Sequence, residues 1–107
     1  MSTLSTHVLD TSLGKPASGI RVTLSRAGQE IASALTDGDG RARDLQGKSV
    51  LTPGPYVLTF VVGPYFAAST RDTFYDTIMV QFRVGTADHY HVPLLLSPFG
   101  YSTYRGS

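Results

Sequence analysis

The chain has no cysteine. Disulfide cross-links and thiolate chemistry are therefore both excluded. Charge is scarce as well: 9 Lys and Arg against 8 Asp and Glu, scattered along the sequence with a net charge of +1. That balance lacks the basic stripe or patch by which a protein tracks nucleic acid or an anionic membrane. Long hydrophobic runs are missing too. The longest, YVLTFVV at 56–62, is far too short to span a bilayer. The opening MSTLSTHVLD has neither the basic region nor the apolar stretch of a secretory leader, and the closing tripeptide is not a peroxisomal signal. A cytoplasmic protein is the expectation. Sustained helical periodicity, internal repeats and low-complexity tracts are also missing.

What is present is a short, well-mixed globular sequence. Its 107 residues are 41% hydrophobic, with 6 Tyr and 5 Phe. This composition fits one domain, 1–107, near the lower end of sizes that bury a good core. Gly and Pro punctuate it at the spacing of short strands, so the sequence reads as all-β, a two-sheet sandwich of about eight strands with at most one short helix. LSTHVLD (4–10) is a first strand, with Ser5, His7 and Leu9 on one face and Leu4, Thr6 and Val8 on the other. IRVTLSR (20–26) and EIASALT (30–36) form a hairpin across AGQ, and DGDG (37–40) is a tight turn before a short strand at 41–44. Further strands are expected at 55–62, 77–84, 89–97 and 101–106, with 11–19 a loop and 64–74 a helical turn or irregular excursion. Pro93, inside a strand pattern, predicts an edge position or a bulge.

Chemistry concentrates in a few places. In HYHVPLLLS (89–97), period two puts His89, His91, Pro93 and Leu95 on one face. Two imidazoles there, joined by His7, offer one arrangement for zinc, but H-x-H alone is weakly specific and an exposed His89 at a strand start is the simpler reading. His7 becomes chemically interesting only if His91 and an anion-holding group approach it, since neutral imidazole accepts a proton near pH 7. Arg41, at the exit of DGDG, can hold a planar oxygen-rich group through paired hydrogen bonds, and Arg43 offers the same chemistry two residues on. The tail YSTYRGS supplies tyrosines, an arginine and a final serine whose hydroxyl and carboxylate form a polar cluster if ordered.

Taken together, LSTHVLD with GKPA, TDGDGR, and HYHVPLLLSPFGYSTYRGS resemble the 5-hydroxyisourate hydrolases, the enzymatic branch of the transthyretin-like family, over essentially the whole chain. The Y-R-G-S ending distinguishes these hydrolases from the hormone carriers, which also lack histidines matching His7 and His91. The resemblance implies hydrolysis of 5-hydroxyisourate to 2-oxo-4-hydroxy-4-carboxy-5-ureidoimidazoline in urate degradation, with no metal and no organic cofactor. It assigns catalytic roles to His7, Arg41, His91 and Ser107 and substrate contact to His7, Arg41 and Tyr104. His89 is left flanking and Arg105 structural. It further implies a homotetramer, a dimer of dimers around a central channel, in which a neighbouring subunit pins the tail. Two departures, a short SRAGQE loop and Asp76 where many relatives carry proline, bear on loop shape rather than on these positions.

Overall fold

Alternating apolar residues decide most of the architecture. In the computed structural model, which describes residues 2–107, the elements are β1 (Thr3–Asp10), β2 (Lys15–Pro16), β3 (Arg21–Arg26), β4 (Gln29–Leu35), β5 (Arg41–Ala42), β6 (Gly54–Val61), α1 (Gly63–Ala68), β7 (Thr77–Val84), β8 (His89–Ser97) and β9 (Gly100–Thr103). They make two sheets. One runs β2-β1-β8-β9, with β5 also paired to β1, and the other runs β4-β3-β6-β7. The pleat sends every second residue inward. Leu4, Thr6 and Val8 of β1 and Val92, Leu94 and Leu96 of β8 face Val22, Leu24, Leu58, Phe60 and Ile78 of the second sheet in one shared core. Each such aliphatic or aromatic side chain contributes about 1.5–3 kcal/mol on burial. Thr6 is tolerated among them because its hydroxyl donates to the Val92 carbonyl at 2.6 Å. Among the described residues, no helix is long and apolar enough to cross a membrane.

The expected all-β sandwich is present, with local differences that have identifiable causes. The strand expected at 41–44 stops at Ala42, because Asp44 takes a left-handed φ of 53° and turns the chain so that the Leu45 amide reaches the Leu4 carbonyl. Within the loop expected at 11–19, Lys15 and Pro16 pair with Asp10 and Leu9. The 64–74 segment begins as a helical turn, Gly63–Ala68, with Pro64 in its first turn and Phe66 buried beneath it. The last strand ends at Thr103, short of 106.

Pro93 explains that early end. It lies on β8, an interior strand between β1 and β9, and not on an edge. Its carbonyl faces β9, where it accepts from the Thr103 hydroxyl at 2.7 Å. The missing N–H therefore falls where β9 leaves the ladder, and no partner strand needs it.

β1 ends in a charged clamp. Asp10 is fully buried, yet its carboxylate accepts from Arg71 at 2.7 Å, Tyr65 at 2.8 Å and Ser12 at 2.7 Å. Burial works against the charge, but these donors and the Leu13 amide outweigh it and hold the carboxyl well below the usual carboxylate range. A depressed native pKa stabilises the fold above the ordinary carboxyl pKa, and that contribution drains away as pH falls below it. Asp10→Ala strands Arg71 and is expected to cost about 3 kcal/mol at neutral pH. The wild-type advantage in urea titrations should shrink steadily on acidification; an advantage unchanged by pH would remove the clamp from the stability account.

Candidate active site

The residues opposite the core-facing set lie on the outer surface of the five-stranded sheet, and there the chemistry collects. β1 and β8 run parallel with Thr3 opposite His89, Ser5 opposite His91 and His7 opposite Pro93. β5 flanks β1 on its other side, with Arg41 opposite His7. Chain segments from the two ends and the middle are thus laid side by side with their outward residues on one face. Arg41, Arg43, Asp44, Ser5, His89, His91 and Ser107 line a cavity of about 300 Å³. His7 stands beside Arg41 on the same face, diagonal to His91, without lining that cavity. His7, His89 and His91 do not form a metal-holding group: among the described residues no set of three potential ligands comes together.

Arg41 is placed by the turn before it. Asp37 Oδ1 accepts from the Asp39 amide at 2.9 Å and the Arg41 amide at 3.0 Å. Gly40 has φ 76°, and a Cβ there would lie 2.5 Å from the Val8 carbonyl oxygen. Positive φ and this close approach to β1 together require glycine. Arg43 also reaches the cavity but leans on Asp37 across an exposed 3.6 Å ion pair, so the two arginines that spacing could not separate differ in their partners.

His91 is half-buried. Its Nδ1 lies 2.8 Å from Ser5 Oγ. Burial, then the charges of Arg41, His89 and His7, push its pKa below that of a free imidazole. It stays neutral and able to take a proton at neutral pH.

The tail is held by contacts within its own chain. The Gly106 amide donates to the His91 carbonyl at 2.8 Å. The Arg105 guanidinium lies over the Tyr90 ring at 5.3 Å. A Cβ on Gly106 would overlap the His91 ring and sit 3.2 Å from Pro93 Cγ. Space, not φ, demands glycine here. Gly106→Ala should push the ring or the tail aside and lower kcat/KM about 10²-fold, with little change in melting temperature since the tail is outside the core. Unchanged kinetics would show that the tail contact does not set the ring. Ser107 shares the Arg41 cavity, whereas Tyr104 lines a second cavity of about 300 Å³ with Phe82, Arg83, Tyr90 and Arg105. His91 borders both. Ser5 is the residue that sequence reasoning passed over. Its signal was available, because it shares a strand face with His7.

This two-sheet architecture is that of the transthyretins. Sea bream transthyretin, solved with thyroxine, matches it with a TM-score of 0.87 at 28% identity, over 96% of this chain and 93% of that one. The chain belongs to the HIUase/Transthyretin family, whose model matches residues 4–106. Its likeness is greater to the enzymes of that family: it is 47% identical to a 5-hydroxyisourate hydrolase of Caulobacter vibrioides across 100% of both chains. The solved 5-hydroxyisourate hydrolase of Klebsiella pneumoniae matches with a TM-score of 0.93 at 44% identity, again over 100% of each chain.

Proposed function

We propose that this protein hydrolyses 5-hydroxyisourate. The observation that carries the reading is the meeting of a neutral, half-buried imidazole, a guanidinium and the ordered tail around one small cavity, in a chain that matches named hydrolases from end to end. The substrate is a planar bicycle with several carbonyls. Water adds to a ring carbonyl, charge gathers on that oxygen, and a ring C–N bond breaks to leave a carboxylate. His91 takes the proton from water, with His7 donating to or orienting the reacting groups. Arg41 grips the substrate oxygens and steadies the developing anion with its fork of donors. Ser107 closes the cavity beside them, and Tyr104 contacts the ring from the adjoining cavity. No step calls on a metal or organic cofactor.

We place its work in the cytoplasm, in keeping with a chain that relies on no disulfide. We read its working form as a homotetramer. Among the described residues, strands β7 and β9 each end a sheet with one side unpaired, and Met79 and Tyr101 on them are exposed, an arrangement a second copy can extend. The mass in solution by light scattering tests this, with four chains expected. The activity is tested by generating 5-hydroxyisourate in the cuvette from urate and its oxidase. Added protein should speed the decay of absorbance, whereas a transthyretin-type carrier would leave the rate at that of buffer.

A further inference from the structure

Ser5 Oγ sits between two imidazoles, 2.8 Å from His91 Nδ1 and 3.1 Å from His89 Nε2. His89 Nδ1 in turn lies 2.6 Å from Thr3 Oγ1. The two rings are nearly parallel, with centroids 6.4 Å apart. This chain of contacts has one consistent direction once its inner end is fixed. Arg41 lines the same cavity as His91 and offers donors only, which favours a bare imidazole nitrogen toward the cavity; with Nδ1 engaged by Ser5, that nitrogen is Nε2. His91 then carries its proton on Nδ1 and donates to Ser5 Oγ. The serine hydroxyl, having one hydrogen to give, donates to His89 Nε2, and His89 Nδ1–H donates to Thr3 Oγ1.

We propose that Ser5 and His89 are positioning residues for the hydrolytic step: they hold His91 as its Nδ1–H tautomer and carry its proton outward when Nε2 is protonated. The proposal rests on the hydrolase reading for its role in turnover. The protons balance. When Nε2 takes a proton from water, Nδ1–H passes to Ser5 Oγ and the serine's own proton passes to His89 Nε2. His91 is left neutral with Nε2–H, and His89 becomes the imidazolium. Positive charge thereby leaves the neighbourhood of Arg41 for an exposed ring that water solvates. Donation of the Nε2 proton to the leaving nitrogen reverses the relay and restores the starting state.

The test has an arm that needs no substrate. Nitrogen-15 shifts of the imidazoles in the resting protein report the tautomer directly. Wild type should show His91 protonated at Nδ1. His89→Ala leaves the Ser5 proton free to swing toward His91 Nδ1, so the signal should move to the Nε2–H form. In the absorbance assay this variant should lose about 10²-fold in kcat with KM within about twofold. Ser5→Ala should show a comparable loss, and Ser5→Thr, which keeps the hydroxyl, should recover most of it. A wild-type Nε2–H tautomer, or a tautomer indifferent to His89→Ala, overturns the proposal whether or not the protein is a hydrolase. An unshifted kcat in both His89→Ala and Ser5→Ala, in an enzyme active on 5-hydroxyisourate, overturns the relay while leaving the hydrolase reading intact.

Discussion

His91→Asn should lower kcat/KM for 5-hydroxyisourate by about 10²–10⁴-fold, the range that a positioned general base supplies. Asparagine suits the test because its side-chain amide can still meet Ser5 near the place of Nδ1, while the nitrogen at Nε2 is gone. The loss should fall mainly on kcat, since the proton is taken in the transition state and not on binding. The pH profile gives a second handle. Burial and the charges of Arg41, His89 and His7 hold the His91 pKa below the ordinary imidazole value. The basic form therefore persists to lower pH, and in wild type the acid limb of kcat/KM should lie below that ordinary value. A variant within about tenfold of wild type, or an acid limb at or above the free-imidazole pKa, would move the base elsewhere, with His7 the next residue to test.

Arg41→Gln should cost about 10²–10³-fold in kcat/KM, the loss expected on removing a donor from a developing oxyanion. It should also raise the acid limb, because taking away the positive charge beside His91 makes its imidazolium easier to form. Arg41→Lys separates the two effects. It restores charge, so the acid limb should return toward its wild-type position. The flat two-pronged guanidinium is still lost, and most of the rate should stay lost with it. Activity insensitive to both substitutions would transfer the oxyanion role to Arg43, which borders the same cavity but is engaged by Asp37. The placement of Arg41 by Gly40 and Asp37 makes that transfer an unfavoured outcome.

Much of this arrangement is legible before any coordinates. Alternation in 4–10 and 89–97 puts Ser5 with His7, and His89 with His91, each pair on one strand face, and the fold keeps both pairs on one side of the five-stranded sheet. The DGDG turn ahead of Arg41 is equally plain, since few other pairs tolerate its backbone. Less could be said of the short elements. β2 is only Lys15–Pro16 and β5 only Arg41–Ala42, lengths at which periodicity carries no information. The left-handed turn at Asp44 that shortens β5 is adopted by a residue which also serves in many ordinary conformations. Pro93 signalled an irregularity correctly, but its place on an interior strand depended on where a different strand stopped.

The sequence by itself determined which side chains share a face, because the pleat of a strand is a local property that every second residue must obey. It also determined the DGDG turn that precedes Arg41. Only the tertiary structure decided that β1 lies parallel to β8 in the register that sets Ser5, 86 residues away, against His91, and that β5 brings Arg41 to the far side of His7. Partner and register come from the packing of the whole core: a slip of one residue would turn the histidine row inward and the leucines out. No segment of the chain carries that choice alone.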